Sequence, residues 1–299
     1  MSERNTKKSI RKIKIYDFDK KQLYIQSVPL RFISNTKGFS QISTENSLYL
    51  CGSNKISFDS SETTGSYLFR YDLDDNFKQP SVLVNSAYVH YNPMIVLVND
   101  DIIVVIGGKQ QIFCEKYSIS LNNWRKIPIL PEERYKGCLL VHQKESNLYL
   151  FGGSTNGTFN NSILCLNFIS IGGWERILLK ENDYLLKRNN CIAFQINKEE
   201  DEIFICGGDV DINLESNYIG QYDINNKKIR KKMIKSSLSK AKFKNQTIID
   251  YDGIYFSFID IDENIYLLER KNFGITIIDT KEIIINNFKN QSIKDKQKE

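Results

Sequence analysis

The chain has 299 residues and a formal charge of +5, with 41% hydrophobic and 26% charged residues. This is the balance of a globular protein that can bury a core, and it excludes a collagen-like, wholly disordered or disulfide-scaffold chain. With 41 Ile, 16 Tyr, 17 Phe and only three Ala, the composition favours β-strands and excludes a helix bundle.

The two ends of the chain carry much of the positive charge. Residues 1–9 and the lysine-rich residues 289–299 are predicted to be disordered tails, as short basic termini usually are. The alternative, nucleic-acid binding through these tails, would depend steeply on salt and is disfavoured. No segment has the form of a signal peptide or the roughly 18 apolar residues of a membrane helix. We therefore expect a soluble, cytoplasmic protein that does not bind a membrane.

Strand-rich units follow one another along the rest of the chain. Residues 10–29 contain two predicted strands, IKIYDFD and LYIQSVP, and KEIIINNF at 281–288 contains one. Between them, five units are predicted at about 37–88, 89–136, 137–190, 191–244 and 245–280.

Segments that end in glycine recur in these units. SLYLCGS, DIIVVIGG, NLYLFGG and EIFICGG have their first glycines at 52, 107, 152 and 207, so the separations are 55, 45 and 55 residues. Such a period indicates a repeated supersecondary unit. Glycine here lets the backbone turn or approach a neighbour without a Cβ. The repeated glycines are Gly52, Gly107, Gly108, Gly152, Gly153, Gly207 and Gly208.

An aromatic residue follows the glycine segments, with a bulky residue about seven positions later, and two further copies of this pattern, at Tyr16 and Tyr266, have no glycine pair before them. The aromatic positions are Tyr16, Tyr71, Tyr117, Tyr222 and Tyr266, and the bulky partners are Leu23, Phe77, Trp124, Ile229 and Phe273. Trp174 ends a longer version, CLNFISIGGW. Phe113, Tyr117, Trp124, Phe151, Trp174 and Phe204 recur with the period of the unit, so we expect them to pack between neighbouring units.

The unit at 89–136 shows the order of the strands most clearly. MIVLVND is apolar throughout, as an innermost strand covered on both faces would be. DIIVVIGG, QIFCEKYSI and WRKIPIL are the predicted second, third and fourth strands, and an outermost strand tolerates Pro128. The unit is therefore a four-stranded antiparallel sheet, and its apolar faces must be buried against neighbouring units.

This pattern resembles the kelch repeat, which has Gly-Gly after the second strand, Tyr in the third and Trp at the start of the fourth. The resemblance covers residues 10–288 and implies a single kelch-type β-propeller domain with six blades of four-stranded antiparallel sheets. In that arrangement, 10–29 and 281–288 share the closing blade and remove the open sheet edges. The alternative is five blades and a separate hairpin.

Metal and cofactor sites find no support in the sequence. The six cysteines have no C-x-x-C spacing and are predicted to be buried thiols in a reducing compartment: Cys51, Cys114, Cys138, Cys165, Cys191 and Cys206. His142 is predicted to be structural, and His90 to be structural with a binding role as the alternative. Two scattered histidines disfavour the copper site of kelch-like oxidases. Acidic pairs such as Glu132-Glu133 are predicted to be solvated turns.

The loops that enter the innermost strands are the candidate binding site. In kelch proteins these loops open on one mouth of the ring, which often holds a peptide. Arginine binds carboxylates in a fork and tyrosine gives a rigid contact area, so the residue types suit an acidic peptide or protein. The alternative is that they are ordinary loop residues. The candidates are Arg31, Tyr91, Asn92, Arg134, Tyr135, Arg188 and Asn189.

The sequence therefore predicts a non-enzymatic protein-interaction module, an adaptor or scaffold that binds a partner at one mouth of the ring. No catalytic residue, metal or cofactor is predicted. The alternative, implied by the same resemblance, is a small kelch-type enzyme that resembles sugar mutarotases or metal-assisted lyases and uses the central channel.

Overall fold

The computed structural model describes residues 10–17, 22–29, 38–44, 46–52, 65–72, 80–170, 172–197, 200–210, 218–233, 249–251, 255–259, 265–269 and 275–278. In these ranges the protein is all-β, as predicted, and its one helix is a short 3-10 segment, Asp183–Leu186. No helix of the described ranges is long and apolar enough to cross a lipid bilayer.

The described strands form a hairpin followed by sheets of four main strands in chain order, all antiparallel. The hairpin is β1 (Ile10–Asp17) with β2 (Gln22–Pro29). Sheet 1 contains β3 (Phe39–Ser43), β4 (Ser47–Gly52), β5 (Tyr67–Asp72) and β6 (Ser81–Val82). Sheet 2 contains β7 (Met94–Asn99), β8 (Ile102–Ile106), β9 (Cys114–Ser118) and β10 (Asn123–Ile127).

The later sheets repeat this order. Sheet 3 contains β11 (Tyr135–His142), β12 (Asn147–Thr155), β14 (Ser162–Asn167) and β15 (Glu175–Leu178), and β13 (Thr158–Phe159) pairs with β12. Sheet 4 contains β17 (Ile192–Phe194), β18 (Glu202–Cys206), β20 (Tyr218–Asp223) and β21 (Lys228–Met233). Beside it, β16 (Arg188–Asn189) pairs with β19 (Asp209–Val210). Sheet 5 contains β22 (Ile249–Tyr251), β23 (Tyr255–Ile259), β24 (Ile265–Glu269) and β25 (Ile275–Ile278).

The strand register explains the seven-residue spacing of the aromatic pattern. Tyr16 lies opposite Leu23, Tyr117 opposite Trp124 and Tyr222 opposite Ile229. In each case the spacing marks a cross-strand pair in a short hairpin. The hairpin between β24 and β25 is longer, so Tyr266 pairs with Ile277 and the spacing to Phe273 does not describe its register. In sheet 2, β10 ends at Ile127, so Pro128 follows the outer strand and does not lie within it.

Two glycines show why the glycine pairs recur. Gly107 and Gly152 have φ of 54° and 60°, in the left-handed region that L side chains rarely adopt. A Cβ would lie 2.8 Å from the Arg134 carbonyl oxygen at Gly107 and 2.5 Å from the Arg188 carbonyl oxygen at Gly152. Each glycine therefore lets the loop of the following sheet approach closely.

The apolar core lies between successive sheets. The first strands of sheets 1 to 4 neighbour one another in the series β3, β7, β11 and β17. Tyr149 and Phe151 of sheet 3 meet Tyr222 of sheet 4 with ring centroids 6.3 and 5.8 Å apart. At the outer strands, Trp124 Nε1–H donates to the Val84 carbonyl at 2.7 Å and Trp174 Nε1–H to the Pro128 carbonyl at 2.9 Å. These contacts confirm that the recurring aromatics pack between units.

The cysteines contribute to this core and none forms a disulfide. All six are buried free thiols, as the sequence predicted. Cys138 of sheet 3 and Cys191 at the start of sheet 4 bring their Sγ atoms to 3.3 Å of each other. Burial raises the pKa of the Cys114 and Cys206 thiols to about 12, so these cysteines behave as small apolar side chains.

Candidate functional site in the loops before the innermost strands

The predicted binding residues of the described ranges lie in three equivalent segments at the entries to β7, β11 and β17, which we call loops. Tyr135 and Lys136 are also the first residues of β11, and Arg188 and Asn189 form the short strand β16. Each loop begins with a fully buried side chain that carries nitrogen donors, namely His90, Arg134 or Arg188. Each of these side chains contacts the carbonyl oxygen of the first glycine in its own sheet. The distances are 2.8 Å from His90 Nδ1 to Gly107, 3.4 Å from Arg134 Nη1 to Gly152 and 3.1 Å from Arg188 Nη1 to Gly207. The first position of the loop is therefore a structural element of the repeat.

Arg134 is buried, so the prediction that it captures an acidic partner is wrong. Its guanidinium donates to the Ser162 carbonyl and to Ser162 Oγ, both at 3.0 Å, and to Glu132 Oε1 at 2.7 Å. Because these acceptors occupy the guanidinium inside the sheet, no fork faces solvent. The carboxylate of Glu132 is held by two arginines, so it is not the solvated turn residue that the sequence predicted.

Glu132 links Arg134 to Arg176, whose Nη2 lies 2.9 Å from Glu132 Oε2. Burial alone would raise the pKa of Glu132, but hydrogen bonds from Arg176 and Arg134 outweigh it and leave the pKa below its ordinary value. The ionised carboxylate therefore stabilises the fold above the unfolded-state pKa. This contribution is lost as the pH falls through the lowered folded-state pKa.

Arg188 is also buried, and its predicted binding role is wrong for the same reason. Its Nε–H donates to the Leu185 carbonyl at 3.1 Å and its Nη2 to the Tyr218 carbonyl at 3.3 Å, in addition to the contact with Gly207. The guanidinium carbon lies 4.3 Å from the centroid of the Tyr218 ring. Arg188 thus joins the loop to the second and third strands of sheet 4.

His90 occupies the same position in sheet 2 and is paired with a buried carboxylate. Since a carbonyl oxygen only accepts, His90 Nδ1–H donates to Gly107, and Nε2 faces Glu115 Oε2 at 3.2 Å. Glu115 also accepts the backbone N–H groups of Ala87 and Tyr88, both at 3.0 Å. This burial contradicts the alternative binding role of His90.

We expect Glu115→Ala to lower the free energy of unfolding by about 2–3 kcal/mol, because it leaves two backbone N–H groups and an imidazole without their acceptor. Urea denaturation checks the loss. Glu175→Ala is the matched control, since Glu175 is exposed and makes only a surface ion pair with Lys227. Equal effects of the two substitutions would contradict the structural role of Glu115.

The second and third positions of the loops retain access to solvent. Tyr91, Asn92 and Tyr135 are partly exposed and Lys136 is exposed. Asn189 is 9% exposed, and its Oδ1 accepts a hydrogen bond from Ser154 Oγ at 2.8 Å. Asn189 is therefore poorly placed to bind a partner, contrary to the prediction. Arg31 lies outside the described residues.

The third position of each loop has a left-handed backbone and connects neighbouring sheets. Asn92, Lys136 and Asn190 have φ of 53°, 59° and 56°. Asn92 N–H donates to the Gly38 carbonyl at 2.8 Å, and Asn190 N–H donates to the Lys136 carbonyl at 2.7 Å. These bonds fix successive loops side by side at one end of the sheets.

Two lysines that the sequence reasoning missed stand beside the tyrosines. Lys136 Nζ lies 5.8 Å from the centroid of the Tyr135 ring. Lys109 is exposed directly after the glycine pair of sheet 2, and its N–H donates to the Tyr91 carbonyl at 2.8 Å. Their positions next to Tyr135 and Gly108 are the sequence signal that could have found them. We call Tyr91, Asn92, Lys109, Tyr135 and Lys136 the loop surface.

The carboxylates close to the loop surface are already engaged. Glu133 Oε1 accepts the Gln110 N–H at 2.8 Å, and Asp209 Oδ2 accepts from Asn190 Nδ2 at 3.0 Å. Within the described ranges, a group of side chains suited to a metal ion occurs elsewhere, at His142, Glu145 and Asp201. The loop surface therefore offers tyrosine contact area and positive charge to a partner.

Neither a protein-family model nor a curated protein matches the chain. The resemblance to kelch repeats therefore stays a prediction from the sequence repeat.

Proposed function

We propose that the chain is a kelch-type β-propeller that binds an acidic peptide or protein segment at the loop surface, as an adaptor or scaffold. The observation that carries the proposal is the combination of two partly exposed tyrosines and two exposed lysines in consecutive, hydrogen-bonded loops. Tyrosine supplies contact area with little loss of conformational entropy, and the lysines attract carboxylates. We therefore assign the attraction of an acidic partner, which the sequence predicted for the arginines, to Lys109 and Lys136.

The inter-sheet hydrogen bonds favour a surface that is ordered before it binds. A loop whose backbone is fixed loses less conformational entropy when a partner arrives, and affinity rises accordingly. The bonds from Asn92 to Gly38 and from Asn190 to Lys136 supply this order. Propellers host many unrelated functions, so the proposal is drawn from the residues of the loop surface and not from the fold.

The proposed ring has six blades. Sheets 1 to 5 each supply one blade, and the hairpin of β1 and β2 forms the sixth with the predicted strand at 281–288. The side-by-side order of the innermost strands supports a ring, and closure would pair the edges of the hairpin. The buried free thiols fit a reducing, cytoplasmic compartment.

The test is a selection of peptides from a random display library on the untagged protein, followed by calorimetry with the selected synthetic peptides. We expect acidic sequences that contain apolar residues. Lys109→Glu/Lys136→Glu should weaken the selected peptides at least tenfold, because both attractive charges become repulsive.

The matched control is Lys227→Glu/Lys228→Glu, which makes the same change of charge at exposed residues on the opposite end of the strands. It should change the affinity less than twofold. Failure to select any peptide, or equal weakening by the two double variants, would contradict the proposed function.

A further inference from the structure

A second group of polar side chains lies at the end of the sheets opposite the loop surface. β11 ends at His142, and Glu145 lies in the turn that leads to β12. Asp201 lies in the turn that leads into β18 of the neighbouring sheet. The three side chains therefore meet across the boundary between sheets 3 and 4.

The distances within this group suit a shared ion better than a hydrogen bond. His142 Nδ1 lies 3.6 Å from Glu145 Oε2, and His142 Nε2 lies 3.6 Å from Asp201 Oδ1. One ligand atom from each of the three residues lies within 4.8 Å of the other two. Nitrogen and oxygen ligands about 2.0–2.2 Å from a tetrahedral Zn²⁺ ion are roughly 3.3–3.5 Å apart, so His142 Nδ1 and Glu145 Oε2 are already close to this separation. Asp201 faces Nε2 and would have to turn toward Nδ1 to complete the group.

His142 gives the second, independent observation. Its side chain is fully buried, and Nδ1 has no hydrogen-bond partner. Buried polar atoms are nearly always partnered, so an unpartnered ring nitrogen that faces a carboxylate indicates a ligand. The carboxylates of Glu145 and Asp201 are 37% and 22% exposed, which leaves a path from solvent.

Lys144 already supplies a positive charge at this place. Its Nζ lies 3.0 Å from both carboxylate oxygens of Asp201, and the lysine side chain is 46% exposed. Asn225 Nδ2 also donates to Asp201 Oδ2 at 2.9 Å. The exposed ammonium group of Lys144 can move away from Asp201. A divalent ion in its place would neutralise the carboxylates of both Glu145 and Asp201.

We propose that His142, Glu145 and Asp201 bind one divalent transition-metal ion of the Zn²⁺ class and thereby join sheet 3 to sheet 4. One imidazole nitrogen and two carboxylate oxygens form a donor set that suits this class, and water completes the coordination. With Nδ1 as the ligand, Nε2 keeps the Glu200 carbonyl oxygen at 3.4 Å as its neighbour, which orients the imidazole.

The experiment is titration of the untagged, metal-free full chain with ZnCl₂ by calorimetry, together with Co²⁺ absorption spectra. We expect one equivalent to bind with an increase in Tm, and Co²⁺ bands in the visible without thiolate charge transfer. Glu145→Gln and Asp201→Asn should each weaken binding at least tenfold, and Lys144→Gln should strengthen it several-fold because the competing charge is removed.

Glu181→Gln is the control, since Glu181 is exposed and lies outside the group. Lys144→Gln keeps all three ligands, so it tests the site even if a ligand variant folds poorly. The proposal is overturned if no equivalent binds, if thiolate bands appear, or if Glu145→Gln and Lys144→Gln leave the affinity unchanged.

Discussion

Arg188→Met is expected to lower the free energy of unfolding by about 3–5 kcal/mol. The substitution keeps much of the volume of the side chain but removes the donors to the carbonyl groups of Leu185, Gly207 and Tyr218. Each buried carbonyl left without a donor costs about 1–3 kcal/mol, and partial relaxation of the loop recovers some of the sum. The loss should be seen as a lower urea midpoint with an unchanged slope.

Arg188→Lys distinguishes the effect of the positive charge from that of the planar guanidinium group. Lysine keeps the positive charge but has no planar fork, so we expect an intermediate loss of stability. Arg125→Met is the matched control, since Arg125 is exposed on β10 and should change stability by less than about 0.5 kcal/mol. If Arg188→Met were as mild as Arg125→Met, the structural role of the first loop position would be wrong.

Deletion of residues 281–299 is expected to destabilise the protein far more than deletion of 289–299. The longer deletion removes the predicted closing strand with Ile283, Ile284 and Ile285, and a fully buried isoleucine contributes about 1.5–3 kcal/mol. It would also leave the β1–β2 hairpin as a two-stranded sheet, which is marginal by itself. A loss of about 3–6 kcal/mol in urea denaturation would follow.

Removal of 289–299 alone is the control, and we expect it to change stability by less than about 0.5 kcal/mol because these residues are predicted to be a solvated tail. Equal stability of the two truncated chains would contradict closure of the ring by 281–288. The five-blade alternative with a separate hairpin would then be favoured.

The strand pattern was predictable because its causes are local. Glycine at 107 and 152 reflects a positive φ and a close approach, and the pair of Tyr117 with Trp124 reflects the register of one short hairpin. Each requirement acts on residues near one another in sequence. The all-β class and the four-stranded antiparallel sheets could therefore be derived from the sequence.

The roles of Arg134 and Arg188 could not be derived in this way. Their acceptors, such as the Ser162 and Tyr218 carbonyls, come from strands that are distant in the sequence. An arginine that precedes a strand can equally face solvent or be buried in the core, so its position alone did not indicate its role. One signal was present: His90, Arg134 and Arg188 precede Gly107, Gly152 and Gly207 by 17, 18 and 19 residues. A nitrogen donor at a nearly constant distance from the glycine pair indicates a structural position.

The His142 group was missed for a related reason. The sequence places His142 and Glu145 in one turn, but Asp201 reaches them only because sheets 3 and 4 pack side by side. Spacing rules for metal sites describe ligands that share a short segment, so they do not detect ligands contributed by neighbouring units.

Hydrogen–deuterium exchange of the protein with and without a selected acidic peptide tests the binding account most directly. We expect slower amide exchange at 90–93, 108–111 and 134–137, which form the loop surface and the segments that support it. The turn at 224–227, at the other end of sheet 4, should exchange at the same rate in both states. Protection confined to the outer strands β10 and β15, with the three loop segments unchanged, would contradict the proposed recognition surface.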